Sequence, residues 1–151
     1  MSPVAIGTER AAVVRESRDW IGCPFHHGAR VKGVGVDCAQ LVLAVFCDAL
    51  HLVPAIDPGY YPPDWFLHQG AERIRDRVLD HFLPVAVPEP GDLALFRYGR
   101  AASHSGIVVE APDVRVVHSF SGFQVTETEV RPMSHLGSRL DGYWTLTRWV
   151  V

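Results

Sequence analysis

The sequence predicts an α+β domain. Three observations carry this reading: helical patterning fills the first half, turn chemistry concentrates at Pro88-Glu89-Pro90-Gly91-Asp92, and the segments beyond it are rich in Val, Thr and aromatics. Helices first and a mostly antiparallel sheet second is the expected order along the chain.

The first element is a helix over Glu9 to Ile21, with Thr8 as its N-cap and Gly22 and Pro24 ending it. His27 to Gly35 is a glycine-bearing loop. Asp37 caps the next helix, Cys38 to about Leu50. Its residues Leu41 to Phe46 are apolar on every side, which puts it in the centre of the domain. After a proline-rich stretch, an amphipathic helix is expected over Asp64 to His81, with Leu67, Ile74, Val78 and Phe82 facing inward. Strands then follow over Leu93 to Tyr98, His104 to Glu110, Val114 to Phe120, Phe123 to Arg131 and Gly142 to Val150.

The 151 residues suit one compact domain, 1–151. A net charge of -3 without a basic block gives no nucleic-acid footprint. Met1 to Gly7 lacks the pattern of a secretory signal, and the longest apolar run, Leu41 to Cys47, is too short to enter a membrane as a span. Three scattered cysteines, Cys23, Cys38 and Cys47, read as reduced thiols in a protein made in the cytoplasm.

Of these thiols, Cys38 stands apart. At the first turn of a capped helix, unpaired backbone N–H groups and the helix dipole favour an anion, lower a thiol pKa and can hold an oxyanion beside the sulfur. Cys47 sits among apolar residues and reads as core; Cys23 is left open. A nucleophilic thiol needs an imidazole, and His104, at the start of a strand behind Ala101, Ala102 and Ser103, can point at a helix start. His118 on the next strand has the same parity. A five-residue hairpin loop, Val109 to Asp113, pairs the two histidines directly on one face, whereas a one-residue slip separates them. The chain contains no asparagine, so the group orienting the base is His, Gln, Asp or Glu, and His118 is the best placed. His26-His27 could ligate a metal from their loop, but nothing at helical spacing completes such a site. Neither metal nor cofactor is expected.

Five blocks in order, Pro24-Phe25-His26-His27-Gly28, Val36-Asp37-Cys38-Ala39-Gln40-Leu41, Pro90-Gly91-Asp92-Leu93, His104-Ser105-Gly106-Ile107-Val108 and Val117-His118, resemble the NlpC family of cell-wall cysteine peptidases. The arrangement is most similar to members encoded with tail genes of phages and gene transfer agents. The resemblance implies a papain-like cysteine peptidase fold, with a helix-borne nucleophile packed on a mostly antiparallel sheet. It implies Cys38 as nucleophile, His104 as base and His118 as third member. Phe25, His26, His27, Asp37, Gln40, Ser103 and Ser105 are the expected substrate-binding residues. The implied substrate is the peptidoglycan stem peptide, at the γ-D-glutamyl–diaminopimelate bond, with other tail proteins as partners and delivery to the periplasm or wall in a phage-like particle.

Two departures bear on the pocket: Phe25 stands where many members carry tyrosine, and Ala39-Gln40 replaces Ser-Gly or Ser-Ala after the cysteine. The alternatives are an amidase or acyltransferase acting on another substrate, and a structural tail or assembly component with an incidental thiol.

Overall fold

The computed structural model describes residues 1–57, 59, 76–99 and 101–150, the side chains of 101–103 aside. Helix α1 (Pro3–Arg18) starts earlier than expected. Ser2, not Thr8, is its N-cap, accepting from the Ala5 N–H at 3.1 Å, and Pro3 occupies the first turn, where its missing N–H costs nothing. Thr8 instead turns its hydroxyl back onto the Val4 carbonyl. The loop expected over His27–Gly35 is partly a miniature hairpin, β1 (Arg30–Val31) against β2 (Gly35–Val36).

Helix α2 (Cys38–Leu43) begins where Asp37 predicts, then widens at Ala44–Ala49 into a π-helix. Leu41 to Cys47 are all buried, as a helix apolar on every side must be. Most of the helix expected over Asp64 to His81 lies outside the described residues, as do Tyr60, Tyr61 and Trp65; 76–79 are helical. No helix among the described residues is long and apolar enough to cross a membrane.

Six strands form one antiparallel sheet: β3 (Phe82–Val85), β4 (Leu93–Tyr98), β5 (Ala101–Glu110), β6 (Arg115–Ser119), β7 (Val125–Glu129) and β8 (Leu140–Leu146). Their order is β3-β8-β4-β5-β6-β7, so β4 to β7 run as a meander and β8 returns between β3 and β4. The last expected strand therefore ends early, at Leu146, and Thr147–Trp149 turn into a 3₁₀ segment.

Side-chain alternation gives the sheet two apolar faces. Leu93, Ile107, Val117, Val125 and Leu146 pack with Leu41, Val45, Phe46 and Val13 of the helical layer. Ala94, Phe96, Val108, Val116 and Leu136 make a second cluster on the other face, bordered by Tyr98 and Tyr143. Phe46 meets Phe82 edge-to-face at 5.4 Å, tying the π-helix to β3.

Arg10 pins α1 to the sheet. Its guanidinium donates to the buried Asp92 carboxylate at 2.8 Å, to the Pro90 carbonyl and to the Thr145 hydroxyl, and lies over the Trp149 ring. The close approach needs Gly91: its φ is +98°, and a Cβ there would stand 3.3 Å from the Arg10 Cα.

Candidate active site

Asp37 organises the start of α2. One carboxylate oxygen accepts from the Gln40 N–H at 2.8 Å, closing the cap, and the other accepts from the Gly28 N–H at 2.8 Å, fastening the preceding loop to the helix. Cys38 is thereby held, half-buried, at the first helical position. The residue after His104 completes the junction: the Ser105 hydroxyl donates to the Cys38 carbonyl at 3.3 Å.

His104 lies inside β5 rather than at its start, because β5 begins at Ala101. The β5–β6 register pairs Ile107 with Val117, and Glu110 opposite Arg115 closes the turn. The loop is thus not Val109 to Asp113, and Gly106 rather than His104 comes opposite His118. The shift is by two residues, so both histidines still share a face with Val108 and Val116. Gly106 makes room for this diagonal pairing; a Cβ there would be 3.1 Å from the Val116 Cβ and 3.5 Å from the His118 Cβ.

His104 Nε2 and His118 Nδ1 share a hydrogen bond at 2.7 Å, and His118 Nε2 shares another with the Thr128 hydroxyl at 2.9 Å. This chain links the tautomers. If His104 donates from Nε2, its Nδ1 keeps a lone pair for proton uptake, and His118 must then donate from Nε2 to Thr128. Phe96, Tyr98 and Phe120 surround His104, with ring centroids 5.5 to 5.7 Å from its own. Burial raises the Tyr98 pKa, the Arg139 guanidinium lowers it, and a negative charge on Cys38 raises it. Cys38 and His104 therefore have Tyr98 and Ser105 as common neighbours.

The electrostatics overturn one expectation. Burial, and after it the Asp37 carboxylate, pushes the Cys38 thiol up to about 12, against hydrogen bonds from Ser105 and the Ala39 N–H. A six-residue helix start does not outweigh that desolvation, and the cap that organises it brings a like charge to the thiolate. Burial, joined by the neighbouring imidazole, holds His104 down at about 3; burial holds His118 at about 4. At neutral pH the resting arrangement is a neutral thiol beside two neutral imidazoles. Such an arrangement can act as a general base and its acid partner only in a step in which thiolate forms as a proton leaves the sulfur.

The other expected residues divide. Asp37 is buried under α2, and Gln40 is buried with its N–H committed to the cap. Phe25 and His26 hydrogen-bond through their backbones to the Phe123 and Val36 carbonyls, which brings this loop alongside the strand leading into Asp37. The His26 side chain is exposed and lies over Gly35; His27 is half-buried next to the Gly28 contact. The Ser103 side chain is outside the described residues. Thr128, Tyr98 and Phe120 escaped the sequence reading. Only the Thr126-Glu127-Thr128-Glu129 alternation, which sends both threonines to one face, hints at the first of them. Among the described residues, no three His, Cys, Asp or Glu side chains gather as a metal-holding group.

No protein-family model matches the sequence, and no curated protein does. Solved structures are similar. The NlpC/p60 domain of the peptidoglycan hydrolase SagA superposes with a TM-score of 0.61 at 18% identity, over 91% of this chain and 98% of that one. The chain has the papain-like fold of NlpC/p60 domains. An NLP/P60-family, lipoprotein-like protein of Staphylococcus aureus subsp. aureus Mu50 gives 0.62 at 18% identity, over 92% of this chain and 41% of its own. The peptidoglycan hydrolase RipB from Mycobacterium tuberculosis gives 0.59 at 16% identity, over 96% and 67%. In the NlpC/p60 fold of this chain, the helix that begins at Cys38 lies against β5 and β6, the strands carrying His104 and His118.

Proposed function

We propose that the chain is a cysteine peptidase hydrolysing amide bonds of peptidoglycan stem peptides, with Cys38 as nucleophile, His104 as base and His118 as orienting residue. The observation that carries this reading is the hydrogen-bonded His104–His118 pair beside a capped, helix-borne thiol within an NlpC/p60 fold. The similarity to peptidoglycan hydrolases supports the substrate class.

In this mechanism the Cys38 proton passes to His104 as the sulfur attacks the amide carbonyl. The resulting imidazolium is stabilised by the hydrogen bond to neutral His118. The Cys38 N–H and a neighbouring donor hold the oxyanion. Collapse of the tetrahedral adduct breaks the C–N bond, His104 protonates the departing amine, and a thioester remains. Water, deprotonated by His104, then releases the acid and restores the thiol.

The bond we assign is that between γ-D-glutamate and diaminopimelate. The setting we assign is a phage-like tail that brings the chain to the periplasm or wall, carried by the resemblance in sequence alone. Muropeptide release tests the chemistry: wild type releases cleaved stem peptides, and Cys38→Ala and Cys38→Ser release none above background. Equal release by all three removes Cys38 as nucleophile. Detection of the chain in purified particles tests the setting.

The high Cys38 pKa favours a second reading, a structural component whose thiol is inert. That reading requires wild type to release no more muropeptide than Cys38→Ala, and a folded protein whose Cys38 resists iodoacetamide even with stem peptide bound.

A further inference from the structure

Arg139 ends the 3₁₀ turn Gly137–Arg139, between β7 and β8. The turn is stiff for local reasons. The Ser134 hydroxyl accepts from the Gly137 N–H at 2.9 Å, and the Arg139 N–H donates to the Leu136 carbonyl. Leu136 is buried in the same cluster as Phe96, so the turn is anchored in the sheet's second face. Its guanidinium carbon lies 4.5 Å from the Tyr98 ring centroid, and Tyr98 in turn stands edge-on to His104. The exposed His135 borders the same ring.

The other half-buried arginines, Arg10, Arg30 and Arg115, each face a carboxylate, as do several exposed ones. Arg139 is half-buried and faces none among the described residues. An aromatic face compensates a guanidinium only in part, and the fork of N–H donors meets no acceptor among the described residues. A cation held by its backbone turn, packed on the ring that touches the histidine and senses the cysteine, has the character of a recognition group rather than a structural ion pair.

We propose that Arg139 is a specificity residue that binds a carboxylate of the substrate close to the scissile bond. The inference rests on the peptidase reading above and deepens it. Stem peptides carry free carboxylates on both sides of the γ-D-glutamyl–diaminopimelate bond. These carboxylates belong to the two residues joined by that bond, so a carboxylate lies within one or two extended-residue lengths, roughly 3.5 Å each, of the carbonyl under attack. A bidentate Arg–carboxylate pair there fixes the direction in which the peptide lies and rejects amidated stems.

The test uses the tripeptide L-Ala-γ-D-Glu-diaminopimelate and its two singly amidated forms, one at D-glutamate and one at diaminopimelate. Wild type should favour the free acid over one amidated form by about tenfold, mainly in KM. Arg139→Met, which keeps the stem over Tyr98, should narrow that preference to near unity, and Arg139→Lys should restore part of it. An equal loss by Arg139→Met on acid and amide overturns the proposal, because that is what a structural or general electrostatic effect on the thiolate produces. No loss on any peptide overturns it as well.

Calorimetric binding of the same peptides to Cys38→Ala protein, with and without Arg139→Met, separates this inference from the reading beneath it. Should wild type cleave none of the peptides, the peptidase reading fails. A tighter hold on the acid that disappears in Arg139→Met still upholds Arg139 as the carboxylate site, and equal affinities overturn it.

Discussion

Acidification from pH 7.5 to 5 should cost this fold roughly 4 kcal/mol through two side chains alone. An imidazole in an unfolded chain titrates near 6.5. In the fold, His104 is held at about 3 and His118 at about 4, both by burial first. Well above about pH 6.5, as at pH 7.5, neither state carries the protons to any extent, and the stability is nearly complete. As the pH falls, the unfolded chain takes up two protons that the folded chain refuses. Stability therefore drains away from about pH 6.5 down towards the folded values near 4 and 3. At pH 5, about 1.5 pH units below the unfolded value, each histidine costs about 2 kcal/mol at roughly 1.4 kcal/mol per pH unit. The result depends only on both folded values lying below 5. Against a domain stability of about 5–15 kcal/mol it is a large fraction. Urea unfolding at both pH values, on wild type and on a His104→Gln/His118→Gln variant, isolates the pair from all other titrating groups. The variant should lose about 4 kcal/mol less than wild type over this interval. Equal losses would refute the burial argument for both imidazoles.

Replacing Asp37 by Asn removes the like charge that raises the Cys38 thiol and leaves the burial that raises it more. The pH midpoint of thiolate absorbance should therefore fall and stay above the ordinary thiol range; an unchanged or higher midpoint contradicts the assignment. Gly106→Ala introduces a Cβ 3.1 Å from that of Val116 and should cost about 1–3 kcal/mol by thermal or urea unfolding. Arg10→Met strips the buried Asp92 of its cation and should cost about 3–5 kcal/mol, a loss that adding Asp92→Asn partly recovers.

The strands from Leu93 onward and the start of α2 were legible because they rest on local chemistry, whereas β3 was not, Phe82 being expected on the inner side of a helix. Leu93–Tyr98 follows its turn signal, and Asp37 is a cap whose two acceptor oxygens need only nearby N–H groups. Local chemistry also misled at α1, where Thr8 and Ser2 are both capping residues and Pro3 decides between them. Parity allowed His104 and His118 to share a face, but the register that puts them there was not readable, because a bulge between Val108 and Glu110 sets it. The state of the thiol lay beyond sequence altogether. Helix position argues for a low pKa, and only the packed structure supplies the desolvation that wins. Thr128 was missed because its role depends on the register of β7 against β6, which places it diagonally to His118 rather than opposite it.

The meander β4 to β7 bears on how this arrangement comes into being. Phe96, His104, His118 and Thr128 sit on four successive strands, so the hydrogen-bonded relay and its aromatic surround close through short-range hairpins. Cys38 joins them only across a long stretch of chain, through contacts such as that between Ser105 and its carbonyl. Loop-closure entropy penalises the second kind of contact more than the first. Loop closure therefore favours forming the relay before the thiol-bearing helix docks onto it. The candidate site is complete only once that helix has docked.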